Sequence, residues 1–262
     1  MKRDEGTDRL EIAGKRFASR LLIGTGGYSS FAEMEACHLA SGAEIATLAV
    51  GRHDLKAQAA DNVLKHIDRS RITLLPNTAG AYTAGEAVRL ARLAREALGT
   101  EWVKLEVLGN PTTLWPDVAE TLEACRILVR EGFVVLPYTT DDLVVAKRLE
   151  DEGAAAVMPL GSMIGSGLGV LNPVTLGLII QAAKVPVIVD AGVGQASDAA
   201  LAMELGADGV LLNSAVALCQ DPLSMAQAMG LAVRAGRLSF LSGRIAKKTY
   251  ATPSSPGAGL QG

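Results

Sequence analysis

Short apolar runs of β-like composition alternate with amphipathic, helix-like stretches along nearly the whole chain, and this alternation restricts the fold more than any other feature. The runs at 21–24, 44–49, 72–76, 102–107, 133–137, 155–158, 187–190 and 209–212 read as strands. The stretches at 31–41, 83–98, 117–130, 141–152, 173–182 and 197–205 read as helices. Thr83, Asp141 and Ser197 stand where a helix needs a side chain to cap its orphan amides. Gly42, Gly99, Gly132, Gly153 and Gly206 stand where helices end, because glycine takes a left-handed turn without penalty. A helix between successive strands makes their pairing parallel. Eight such units in 262 residues have the count and size of a closed (β/α)8 TIM barrel. The alternative is an open doubly wound sheet, whose nucleotide fingerprint should follow the first strand. Gly24-Thr25-Gly26-Gly27 matches that fingerprint only loosely.

Ahead of the first long run, residues 10–12 and 15–17 flank Ala13-Gly14 and read as a small β-hairpin able to cover the bottom of the barrel. Residues 252–259 are rich in Pro, Ser and Gly, the composition of a disordered tail. The expected division is a flexible N-terminus at 1–9, one barrel domain at 10–250 and a flexible tail at 251–262.

Composition narrows the function. With 49% apolar residues, a chain of this length needs no disulfide or metal to hold its core. A net charge of −3, with no basic run beyond Lys247-Lys248, argues against nucleic acid and anionic membranes as partners. Residues 1–6 carry no apolar signal core and no stretch is apolar enough to span a bilayer, so a cytoplasmic protein is expected. Cys37, Cys125 and Cys219 are far apart, and the first two fall in helical patterns as small buried hydrophobes. His38, His53 and His66 show no ligand spacing, so neither a metal nor a cofactor is expected. His53, in the loop Gly51-Arg52-His53-Asp54, reads as a solvated histidine.

Lys104 is the residue that points to chemistry. Alternation within the run Glu101–Leu108 puts Trp102, Lys104 and Glu106 on one face of a strand and Val103, Leu105 and Val107 on the other. An ammonium in such a run is costly to bury without a partner. A strand lysine with a carboxylate two residues on suits imine formation with a carbonyl substrate; the bland alternative is an ion pair with Glu106. Burial lowers a lysine pKa and a carboxylate raises it, so a nucleophilic amine needs Glu106 as a mover of protons rather than a fixed counter-ion. Asp190 ends the apolar run Pro186–Val189 and reads either as a second acid–base group or as a carboxylate capping nearby amides. Barrel active sites lie at the carboxyl ends of the strands, where Lys104, Glu106, Asp190, Asn213 and Ser214 all fall. Lys184 precedes its strand and belongs to the opposite rim.

Three loops at successive strand ends suit an anion: Pro159–Gly169 with its four glycines, Ala191-Gly192-Val193-Gly194, and Asn213-Ser214-Ala215. Bare backbone amides and helix N-termini bind phosphate without a lysine, and the last two loops follow the strands that most often build the phosphate site of this fold.

The strings PNTAG (76–80), VKLEVLG (103–109), VLPYTTDD (135–142), AAVMPLGSMIGSGLGVLNP (155–173) and VPVIVDAGVGQASDAALAMELGADGVLLNSAVA (185–217) closely resemble thiazole synthase of the bacterial thiamin pathway. The likeness runs from about residue 10 to residue 250. It implies a phosphate-binding barrel that joins 1-deoxy-D-xylulose 5-phosphate, dehydroglycine and sulfur into the thiazole phosphate. The sulfur would arrive as a C-terminal thiocarboxylate on a small ubiquitin-like carrier protein, and a second enzyme would supply dehydroglycine. The resemblance further implies that Lys104 forms the imine with the sugar ketone and that Glu106 and Asp190 act as acid–base residues. Gly165, Ala191-Gly192 and Asn213-Ser214 would contact the substrate and its phosphate. It also carries the expectation of a homo-oligomer, a tetramer. Two positions depart from the family pattern: Asn110 stands where an acidic residue is usual, and Trp115 where a second leucine is common.

Two other functions share part of this pattern. A Schiff-base aldolase acting on a sugar phosphate would use the same lysine and loops without a protein partner. A non-catalytic barrel that docks a partner would leave Lys104 and the glycine loops without a purpose.

Overall fold

The computed structural model describes residues 8–52 and 62–254, without the side chain of Arg52; His53, Asp54 and the outermost residues of both termini lie outside the described residues. A two-stranded antiparallel hairpin, β1 (Leu10–Ile12) and β2 (Lys15–Phe17), comes first. Eight parallel strands follow: β3 (Leu21–Gly24), β4 (Ile45–Ala49), β5 (Thr73–Asn77), β6 (Trp102–Leu105), β7 (Val134–Thr139), β8 (Met158–Pro159), β9 (Ile188–Asp190) and β10 (Gly209–Leu212). Their order is β8-β7-β6-β5-β4-β3-β10-β9. Parallel bridges from Val157 to Val187 and from Leu160 to Asp190 join the two ends, so the sheet closes into a barrel and the doubly wound alternative falls.

The helices are α1 (Phe31–Ser41), α2 (Ala84–Leu98), α3 (Val118–Arg130), α4 (Leu143–Asp151), α5 (Pro173–Ala182), α6 (Ala196–Glu204), the short α7 (Ser214–Ala217) and the long α8 (Pro222–Ser242). Thr83 caps α2 as expected. At α4 the cap is Asp142 rather than Asp141, because Asp142 reaches the amides of Val144 and Val145. At α6 it is Gln195, in a reciprocal box with Asp198, rather than Ser197. All five helix-ending glycines have positive φ. Between β4 and β5 the described residues form only 3-10 turns, at Val50–Arg52 and Val63–His66. No helix among the described residues is long and apolar enough to cross a membrane.

Alternation in the strands builds two cores. Residues pointing outward, such as Val103, Leu105, Val135 and Val187, pack against the helices. Residues pointing inward, Leu22, Ile45, Leu75, Leu136, Ala156, Met158, Ile188 and Leu211, fill the lumen. Leu10, Ile12 and Phe17 of the hairpin join this inner cluster, so the hairpin plugs the bottom of the barrel. Phe17 meets Trp102 edge to face at 5.9 Å. Burying each of these plug side chains contributes roughly 1.5–3 kcal/mol. Asp8, just ahead of the hairpin, accepts from Arg20 and Arg237 and ties the plug to β3 and α8. The lumen is therefore sealed below and accessible from the carboxyl ends of the strands.

Candidate active site

Above the plug, the inward positions change from apolar to polar. Lys104 rises from β6 and Glu106 from the residue just past its end, Asp190 ends β9, and Tyr138 comes from β7. The ammonium and both carboxylates are nearly closed to solvent, at 5% exposure for Lys104, 6% for Glu106 and 2% for Asp190. Lys104 Nζ lies 2.6 Å from Asp190 Oδ2 and 3.8 Å from Glu106 Oε2. Asp190 is thus the close partner of the lysine, and Glu106 stands further back. The Asp190 contact is a short, buried ion pair. The Tyr138 ring lies 5.5 Å from the ammonium, and its hydroxyl donates to Leu114 O at 3.5 Å.

Electrostatics favour a proton held tightly between amine and acid. Burial pulls the Lys104 ammonium toward the neutral amine, but Asp190 and Glu106 together outweigh it, so its pKa is raised. Burial pushes the Asp190 carboxyl up by more than Lys104 and the Ala191 amide lower it. Burying two separate ions costs several kcal/mol each. Passing the proton from Nζ to Oδ2 leaves two neutral groups and removes that cost, which gives the lysine a route to its nucleophilic form.

A cavity of about 200 Å³ opens above this pair. Every residue that the resemblance assigns to the site lines it: Lys104, Glu106, Asp190, Gly165, Ala191, Gly192, Asn213 and Ser214. The loop after β8 is knitted to the end of β9 and its loop by bonds from Gly169 N–H to Gly192 O at 2.8 Å and from Gly161 N–H to Asp190 O at 3.3 Å. Gly192 has φ +79° and a Cβ there would come within 1.9 Å of Ser162 Oγ, so only glycine lets the loops close. Gly165 also has a positive φ, but a Cβ there would meet nothing nearer than Ser214 Oγ at 3.8 Å. Ala191 holds φ 71° beside Asp190, a strained conformation for a residue with a Cβ. Asn213 donates its amide to Gly26 O at 2.8 Å, joining the β10 end to the β3 loop.

The structure adds lining residues that sequence reasoning did not place at the chemistry. Thr47 and Asn77 project from β4 and β5, and Leu114 hangs over the mouth at φ 55°. Strand alternation carried the signal for Thr47; Asn77 stood in the PNTAG string. The loop bearing Leu114 folds back on itself through the Leu108–Pro116 bridge. Asn110, one of the two departures from the family pattern, accepts from the amides of Thr112 and Thr113 at 2.9 Å and turns this loop; Trp115, the other, is exposed. Cys37 and Cys125 are free and buried, and their thiol pKa values are pushed up to about 11 and about 12 by burial. No three His, Cys, Asp or Glu side chains among the described residues are grouped to hold a metal ion.

Fold and site together define a class, the (β/α)8 barrel enzymes that keep their chemistry at the carboxyl ends of the strands. A family model for thiazole biosynthesis protein ThiG matches residues 11–256. The thiazole synthase of Geobacter metallireducens is 60% identical over 253 residues, which cover 97% of each chain. That of Myxococcus xanthus is 59% identical over 249 residues, or 95% of each. Among solved structures, the crystal structure of the Amycolatopsis orientalis BexX/CysO complex superposes with a TM-score of 0.82 at 34% identity, over 92% of this chain and 98% of that one. The chain belongs to the thiazole synthase family, enzymes of thiamin biosynthesis.

In Asp190→Asn, burial of Lys104 is opposed by Glu106 alone, so the lysine pKa should fall. A base whose pKa falls is neutral from a lower pH upward. Reductive methylation of Lys104 by formaldehyde and borohydride, followed on its peptide by mass spectrometry, should therefore reach its midpoint at a lower pH than in the unsubstituted protein. An unchanged or higher midpoint would show that Asp190 does not set this amine.

Proposed function

We propose that this chain builds the thiazole phosphate of thiamin from 1-deoxy-D-xylulose 5-phosphate, dehydroglycine and the sulfur of a carrier-protein thiocarboxylate, as a transferase working through an imine at Lys104. The observation that carries this reading is the 2.6 Å Lys104–Asp190 contact, buried at the floor of a cavity rimmed by three anion-suited loops. Asp190 takes the ammonium proton, and the neutral amine adds to the ketone carbon to form a carbinolamine. The carboxylic acid then protonates the departing hydroxyl, water leaves, and the C=N bond forms. Glu106, 3.8 Å from Nζ, takes the proton from the carbon next to the imine and returns it later in the sequence. The phosphate sits against Gly165, Ala191-Gly192 and Asn213-Ser214, where amides and the start of α7 face the cavity.

The carrier's thin C-terminal tail enters at the same mouth. Support comes from the likeness to BexX, solved in complex with a second protein, CysO. Gly26 from the loop after β3, Asn77 from the end of β5 and Ala79 from the loop after it line the opening. Exposed apolar side chains at strand-end loops, including Tyr82, Trp115, Leu168 and Leu218, offer a surface for a folded partner. The loop after β4, Gly51-Arg52-His53, would form another wall of this mouth, with Arg52 to meet an acidic carrier; the Arg52 side chain lies outside the described residues. Dehydroglycine comes from a second enzyme. A homo-oligomer is supported by α5, which carries no charged residue, as does the whole stretch between Glu152 and Lys184. Leu171, Val174 and Leu178 expose one apolar stripe there, and an uncharged face can meet its own copy without repulsion.

Borohydride added with deoxyxylulose phosphate should reduce the sugar onto Lys104 and no other lysine, and Lys104→Ala should stay folded without turnover. Turnover should also require the thiocarboxylated carrier; product formed without it, with carbon–carbon cleavage, would favour an aldolase instead. Gly165→Val should weaken binding of deoxyxylulose phosphate far more than it lowers the melting temperature, since the site has room for a side chain but not its backbone angle. Equal losses would make the loop a folding element only. Val174→Glu should dissociate the oligomer in sedimentation velocity runs; an unchanged sedimentation coefficient would remove α5 from the contact.

A further inference from the structure

Glu106 stands one residue past the end of β6, where the regular ladder to β5 has stopped after the register pair Asn77–Lys104. Thr78 supplies the next rung with its side chain. Its backbone N–H donates to Lys104 O at 3.2 Å. Its hydroxyl donates to Glu106 O at 2.8 Å and accepts from Glu106 N–H at 2.8 Å. One hydroxyl has a single hydrogen to give, and here that hydrogen and a lone pair both go to the backbone of one residue. Thr78 is completely buried, at 0% exposure. Its neighbours Asn77 and Ala79 line the cavity and Thr78 does not, so it touches no substrate.

We infer that Thr78 is the positioning residue for Glu106: its hydroxyl clamps both backbone polar groups of position 106 and so aims the carboxylate at the carbon it deprotonates. The inference rests on the acid–base reading of Glu106 given above. A reacting group displaced by about 1 Å can lose on the order of 10²-fold in rate. A side-chain clamp of this kind is needed here because the strand itself no longer holds the residue. Threonine is suited to it: serine keeps the donor and acceptor, whereas valine keeps the shape and has neither.

The test uses the full-length protein with its carrier and both small substrates. Thr78→Val should lower kcat by about 10- to 100-fold, within the range a positioned acid–base group contributes. KM for deoxyxylulose phosphate should stay within about twofold, and borohydride trapping at Lys104 should keep its yield, because Glu106 keeps its charge near the amine and is the reacting group in neither step. Thr78→Ser should restore most of the rate. Placed on Glu106→Gln, the valine should cost no more than about twofold further, since the group it misaims is already gone. Thr78→Ala, which crowds nothing, should repeat the valine result. Wild-type kcat in the valine variant, an equal loss on both backgrounds, lost imine trapping, or unfolding of both hydroxyl-free variants would each overturn the inference. Wild-type turnover by Glu106→Gln alone would instead remove the acid–base reading on which it rests.

Discussion

The contact between Lys104 and Asp190 depends on closure of the barrel, and the chemistry depends on the contact. In the strand order, β6 and β9 are five positions apart along the sheet. At about 4.8 Å per strand, an open sheet would separate them by roughly 24 Å. Joining β8 to β9 brings their inward side chains across the lumen to 2.6 Å. Breaking a buried pair by removing one partner typically costs 3–5 kcal/mol. Asp190 is therefore held in its place by the same charge it serves, and the pair couples the integrity of the barrel to the reactivity of the amine.

Below that pair, the molecule is built for stability. The hairpin plug, the apolar lumen and the Arg20–Asp8–Arg237 tie close the lower end. Above it, the molecule accepts strain. Ala191 and Leu114 hold left-handed backbone angles at the cavity, and successive loops interlock so tightly that a Cβ on Gly192 would overlap Ser162. A left-handed residue with a side chain costs on the order of 1–2 kcal/mol. The sealed, well-packed lower half offsets that cost, and the strained upper half brings the glycine loops and the carboxylates of Glu106 and Asp190 to the cavity wall.

Much of this was legible in the order of residues. The period-two pattern of 102–107 put Lys104 and Glu106 on the inward face, and β–α alternation placed Asp190, Asn213 and Ser214 at the reactive rim. Helix ends were less legible. Asp141 and Asp142 are chemically equal caps, and only the path of the preceding loop decides that Asp142 reaches the amides. Likewise Ser197 yields to Gln195, because Asp198 is placed to complete a reciprocal box. Gly165 and Gly192 looked alike as glycines; contact with Ser162 across two loops makes one a lock and leaves the other with room.

By itself, then, the sequence determined the units: where strands run, which face each presents, and which chemical groups stand at their ends, since these follow from local periodicity and composition. Only the tertiary structure decided which of those groups meet. That Asp190 rather than Glu106 is the close partner of Lys104 follows from curvature around a closed lumen, and that Thr78 holds Glu106 follows from where two neighbouring strands stop. Both relations join residues 28 or more positions apart, a distance over which no local pattern constrains geometry.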